Sequence, residues 1–230
     1  MNITRKSSFA IVLMVLFLYC FTRARAADFV FNGMPVHITT SSLKEARFAT
    51  TIRQQYDFSC GSAALATLLS YHYGYPVNEK IIFDKMFRDG DQKKIRAHGF
   101  SLLDMQRYLA QQGFRADGFE LQFERLLEAK LPAIVLISEN GYNHFVVIKG
   151  LKNGRVLLGD PSSGTRAISI KRFQQIWQNK LLFVVHGFSG KASFNGDTEW
   201  VVAPEAPLGL GVNRETLANV TFSPSSPGNF

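Results

Sequence analysis

Gln54-Gln55-Tyr56-Asp57-Phe58-Ser59-Cys60-Gly61-Ser62-Ala63-Ala64-Leu65 joins a polar segment to the start of an apolar helix, with a cysteine at the junction. The spacing predicts a helix from Ser59 to Tyr73. Ala63, Ala64, Leu68 and Tyr71 recur at helical intervals, as do Leu65, Leu69 and His72. Ser59 is placed to cap its start, and Gly74 followed by Pro76 ends it. A sulfur in the first turn of such a helix lies near the positive end of the macrodipole, which favours the thiolate. Gln54 stands six residues before the cysteine. Far downstream come Asn143-His144-Phe145-Val146-Val147 and Gly159-Asp160-Pro161. A thiol, an imidazole, a carboxylate and an amide are the parts of a cysteine nucleophile site.

The N-terminus reads as a targeting segment. Arg5 and Lys6 form a basic start, Phe9 to Phe21 is an uncharged apolar run, and Ala24-Arg25-Ala26 offers small residues for cleavage after Ala26. A retained membrane anchor is the competing reading, but the run is shorter than the roughly 18–20 residues a spanning helix needs. Tyr19 before Cys20 argues against a lipoprotein signal. Cleavage removes Cys20 and leaves Cys60 as the one thiol of the mature chain. It also removes Arg5, Lys6, Arg23 and Arg25 and no acid, so the formal charge of +8 falls by four. The remaining basic residues are scattered and have no aromatic repeat among them, which excludes a nucleic-acid platform. A lone thiol in an exported chain is either a buried core residue or is kept for its reactivity. Cys60 by itself on an Ala/Leu helix reads as the former; its partners favour the latter.

The rest of the chain divides by composition. Residues 27–47 read as an extended lead-in, and Leu43 to Thr51 stays ambiguous. Val77 to Phe87, Ser101 to Gln112 and Phe123 to Lys130 read as helices, with Ser101 and Asp104 spaced as a capping box. Arg88 to Gly99 reads as a surface loop. Pro132 to Ile137, Asn143 to Lys149, Arg155 to Leu158, Thr165 to Ile170 and Leu181 to Val185 are short β-type runs, separated by Asn140-Gly141, Asn153-Gly154 and Ser163-Gly164 turns. Arg172 to Gln178 is a helix before the last of them. Helices first and an antiparallel sheet second is an α+β pattern. From 189 to 230 the chain is rich in Gly, Pro and Ser; Trp200 to Val202 could add an edge strand, and the end should be mobile.

His144 and Asp160 each have an ordinary alternative. The first could be a satisfied core histidine, the second a turn residue before Pro161. Gln55 competes with Gln54, and only the spacing to Cys60 favours the latter. His72 falls at the negative end of its helix, His98 in a polar segment, His37 in the lead-in, and His186 after an apolar strand. One Cys, one His and one Asp without local pairing do not make a zinc site, and no phosphate-binding glycine loop is present. No cofactor is expected.

Gln54, five residues, Cys60-Gly61-x-Ala63-x-Leu65, with His144, fifteen residues and Asp160-Pro161, resembles the C39 family of papain-like cysteine peptidases. These are double-glycine leader peptidases, often fused to ABC exporters. The resemblance covers about residues 48–187, and the domain it implies is set at 48–188. It implies Cys60 as nucleophile, His144 as general base, Asp160 as its orienter and Gln54 as oxyanion donor. Ser59 departs from the Asp that many members carry directly before the cysteine, and no transporter segment or nucleotide-binding motif follows. With its export signal the chain looks like the stand-alone exported members, such as the peptidase-like component of functional-amyloid secretion systems. That implies a periplasmic peptidase acting on a secreted protein or leader, with components of a fibre secretion system as partners and no stable membrane insertion after cleavage. A domain that binds a peptide segment without cutting it, as an assembly or chaperone component, is the alternative.

Overall fold

A computed structural model describes residues 28–31, 34–37, 42–186, 190 and 192–205. The expected signal segment at 1–26 and the chain beyond 205, including the expected mobile end, lie outside them. Two units are present. The first holds a two-stranded antiparallel ladder of β1 (Asp28–Phe31) and β2 (Met34–His37), with Phe29 opposite Val36.

The second unit begins with α1 (Leu43–Arg47), a helical turn in the part of the sequence that was ambiguous. α2 (Cys60–Thr67) runs into a π-helical turn (Leu68–His72), and Gly74 at φ +64° ends the run. α3 (Glu79–Asp89), α4 (Gln92–His98) and α5 (Leu102–Gln111) follow. Ser101 and Asp104 form the expected capping box. After β3 (Arg115–Glu120) and α6 (Phe123–Ala129) come β4 (Ala133–Glu139), β5 (Tyr142–Lys152), β6 (Arg155–Asp160) and β7 (Gly164–Ser169). α7 (Ile170–Ile176), β8 (Trp177–His186) and α8 (Asp197–Trp200) complete the described chain. Every pairing in the six-stranded sheet is antiparallel, in the order β3-β8-β4-β5-β6-β7. The fold is α+β, as the element order implied.

The central strands β4, β5, β6 and β8 carry apolar runs because both of their faces are buried. Ile134, Val147, Phe183 and Val185 face Leu65, Leu69, Ile82, Met105 and Leu109 of the large helical layer. Their neighbours Val135, Val146, Ile148, Leu182 and Val184 face Phe123, Leu126, Phe173 and Ile176 of α6 and α7. The period-2 side-chain alternation divides one run between two cores. Asn140-Gly141 and Asn153-Gly154 take positive φ at both positions, and so close the β4-β5 and β5-β6 hairpins as tight primed turns.

Four local expectations are corrected. The segment read as a loop over 88–99 contains α4, capped by the Asp91 side chain; Ile95 alone is buried there, too little to create an apolar period. β3 was not expected, because only Ala116 is buried along it and edge pairing with β8 leaves the rest in solvent. Trp200 to Val202 is no strand but the end of α8 and a following turn. Ser59 holds the N-cap position of α2 without capping through its side chain, because its hydroxyl is bonded to Glu79 and Tyr56.

Residues 192–205 are tied back onto the domain. Asn195 bridges β5, its Oδ1 accepting from Leu151 N at 2.6 Å and its Nδ2 donating to Leu151 O at 3.0 Å. The fully buried Lys149 ammonium lies 2.6 Å from Glu199 and donates to Thr50 O and Thr50 Oγ1 at 2.6 and 2.7 Å. Gly159 leaves the space for it, since a Cβ there would stand 2.9 Å from Lys149 Cδ. His72 is buried beside this pair. Its Nδ1 meets Ser193 O at 2.7 Å, and burial pulls its pKa down against the nearby Glu199.

Candidate active site

Cys60 opens α2, and Gly61 lets this first turn lie close to its neighbours. A Cβ at Gly61 would meet Met105 Cε at 2.8 Å and Phe100 Cβ at 3.1 Å. The thiol is buried at 7% exposure, and the backbone N–H groups of Phe145 and Gly61 approach its sulfur. Burial pushes the thiol pKa up, and the Asp160 charge adds to this; the two N–H groups pull the other way without overcoming it. A thiolate preformed by the helix start was the expectation. The shift runs the other way, because burial prevails over the approaching N–H groups.

His144 is the third residue of β5, beside the Phe145 amide that approaches the sulfur. Its Nε2 donates to Asp160 Oδ2 at 3.2 Å. That bond places the proton on Nε2 and leaves Nδ1 as the basic nitrogen. Nδ1 is buried and has no hydrogen-bond partner among the described residues. β6 pairs with β5 so that Gly159 faces Val147, which sets the end of one strand beside the start of the other.

Asp160 divides its work between two oxygens. Oδ1 accepts from Ser162 N at 2.9 Å, Ser162 Oγ at 2.7 Å and Ser163 N at 3.3 Å, which builds the turn after β6. Oδ2 accepts from His144 and from Arg166 Nε, each at 3.2 Å. Both readings of this residue, turn former and imidazole partner, therefore apply. Burial raises its pKa, but the hydrogen bonds from His144 and Ser162 prevail and hold the carboxyl well below the usual carboxylate range.

Gln54 reaches the same place through its backbone, whose N–H donates to Pro161 O at 3.1 Å. Its Nε2 is turned to Tyr56 O at 3.0 Å and Asp57 O at 3.4 Å, and its buried Oε1 has no partner among the described residues. The structure thus assembles Gln54, Cys60, His144 and Asp160 at one end of the sheet, with the Gln54 amide directed into its own loop.

Three residues escaped the sequence reading. Tyr142 stacks on His144 with ring centroids 5.4 Å apart and donates to Asp57 O at 2.8 Å. Its position two residues before His144 on one strand face was the available signal. Arg166 braces Asp160 and also pairs with Glu139. Glu79 grips the loop before Cys60. Arg166 lies six residues after Asp160 on the paired strand β7, whereas Glu79 is distant in sequence from the residues it holds. Among the described residues no group of three or more His, Cys, Asp and Glu side chains is placed to hold a metal ion.

A helix-borne thiol beside a strand-borne His-Asp pair on this α+β frame defines a papain-like cysteine peptidase. A model of the peptidase C39 family matches residues 49–189, and the chain belongs to that family. It is similar to the probable functional amyloid protease FapD of Pseudomonas aeruginosa, 39% identical over 167 residues, which are 71% of this chain and 74% of the relative. FapD of Pseudomonas fluorescens is 40% identical over 156 residues, 68% of this chain and 69% of that protein. The peptidase domain of Streptococcus ComA, a bifunctional ABC transporter, has the same fold. Its TM-score is 0.51 at 20% identity, covering 59% of this chain and 96% of that domain.

Proposed function

We propose that this cysteine peptidase hydrolyses a peptide bond after small, Gly-Gly-like residues in a leader or secreted protein, by way of a thioester to Cys60. His144 Nδ1 takes the thiol proton as the sulfur attacks the carbonyl, and returns it to the departing amine. Asp160 keeps the imidazole in the tautomer that this step requires. Gln54, once its amide turns from the Tyr56 and Asp57 carbonyls, donates with the Cys60 N–H to the oxyanion. Water then releases the acyl group. The observation that carries the reading is the Nε2 bond from His144 to Asp160, which leaves a buried, unpartnered Nδ1 on the strand whose next amide approaches Cys60.

The small-residue preference comes from the family resemblance. An export signal at 1–26 and the similarity to FapD support a periplasmic setting and a role in exporting an amyloid fibre. Among the described residues no helix is long and apolar enough to cross a membrane.

Mass spectrometry of exported proteins, with wild-type protein or Cys60→Ala, tests this. A substrate should remain uncut in the variant. Full function of Cys60→Ala in cells would instead favour a domain that binds a segment without cutting it. Iodoacetamide labelling of the free protein should be slow near pH 6 and climb only above about pH 8.5, the ordinary thiol value. Fast labelling near pH 6 would mean a preformed thiolate.

A further inference from the structure

We propose that Glu79 is a positioning residue for the hydrolysis, a carboxylate clamp that sets Gln54 relative to Cys60; this rests on the oxyanion role given to Gln54 above. Glu79 is the first residue of α3, where an acid ordinarily faces solvent and favours the helix start. The helix needs no such help, because the Asn78 side chain already accepts from Ile81 N at 2.9 Å. Glu79 instead turns inward and is only 3% exposed. Its Oε1 and Oε2 accept from Gln55 N at 3.2 and 3.1 Å, and Oε1 also accepts from Ser59 Oγ at 2.5 Å and Ser62 Oγ at 3.4 Å.

Gln55 and Ser59 are the two ends of the five-residue segment between Gln54 and Cys60. One carboxylate therefore fixes the residue after the amide donor and the residue before the nucleophile. Ser59 extends the grip, since its Oγ also accepts from Tyr56 N at 3.1 Å. No cation pairs with Glu79 among the described residues, so its charge is met by neutral donors alone. A buried carboxylate held in this way is a costly means of packing a loop and a good means of fixing one, because charge-assisted bonds are short and directional. An oxyanion donor demands such fixing, for a misplacement of about 1 Å can cost about 100-fold in rate.

The test is a double-mutant cycle of Glu79→Gln and Gln54→Ala, read with a quenched peptide spanning a Gly-Gly pair or the cleaved sequence found by mass spectrometry. Glu79→Gln should lower kcat about 10- to 100-fold with KM nearly constant. In the Gln54→Ala background the same change should cost less than about threefold, because the donor it positions is already gone. Iodoacetamide labelling of Cys60, which needs no oxyanion donor, should change less than about twofold. Equal losses in both backgrounds, or labelling that falls in step with hydrolysis, would overturn the clamp and leave Gln54 its role. An unchanged kcat in Gln54→Ala would overturn both. Should Glu79→Gln fail to fold, Ser59→Ala, which removes the contact nearest Cys60, must show the same dependence on Gln54 or the proposal falls.

Discussion

The Asp160 carboxylate holds a turn with one oxygen and an imidazole with the other. Because Oδ1 is committed to Ser162 and Ser163, Oδ2 cannot turn away from His144. In Asp160→Asn, an amide that keeps its oxygen in the turn must aim its NH2 at the His144 and Arg166 donors. Its hydrolysis rate should fall by about 10³ to 10⁴ with little change in KM. The linkage sign is that of a depressed carboxyl. Its stabilisation is present above the unfolded value of about 3.9 and is lost as pH falls through the lower folded value. The Tm gap between wild type and Asp160→Asn should be widest at neutral pH and narrow steadily below about pH 4. A constant gap down to pH 2 would refute this. His144 and Asp160 were legible as a pair because their strands form one hairpin and a tight Asn-Gly turn fixes its closure. The brace from Arg166 was not, since nothing in a strand sequence announces which charged residue points at a carboxylate across the sheet.

At the scale of elements, Asn195 and Glu199 are bonded to β5 although the family match ends at residue 189. Glu199 of α8 neutralises Lys149, which sits in the middle of β5 with no exposure. Burial pulls the Lys149 pKa down, and Glu199 opposes that pull. Glu199→Gln leaves the ammonium uncompensated and should cost about 3–5 kcal/mol, seen as a lower urea midpoint at unchanged slope. Replacing both, Lys149→Met with Glu199→Leu, should recover most of that loss. Additive losses would contradict the pairing. The sequence concealed this arrangement for a physical reason. A lysine inside an apolar run reads as an interruption until its counterion is known, and the counterion lies fifty residues on. α2 and α5 were legible because they bury whole apolar stripes, whereas α4 buries one residue and β3 one.

For the whole molecule, the helical layer and the sheet meet at the loop before Cys60, which is fastened to the sheet at two points. Gln54 N donates to Pro161 O on one side, and Tyr142 Oη donates to Asp57 O on the other. Tyr142→Phe keeps the ring on His144 and removes only the second fastening. Amide hydrogen exchange over 54–59 should rise about tenfold or more in that variant, with exchange in β4 and β6 unchanged. No change over 54–59 would show that the phenol contributes nothing to holding the loop. The four residues nominated for the site stood out in the sequence because their chemistry is rare and their order and spacing resemble the family's. The fastenings are ordinary backbone and phenol contacts that only three-dimensional proximity reveals.

These two fastenings bear on how a chain could enter. A loop held at two points opens less readily than one that hangs free. On the function proposed above, a peptide reaching Cys60 would pass the Tyr142 ring, and a bulky side chain there would have to loosen one of these bonds. A preference for small residues would then act at the threshold, before any bond is broken.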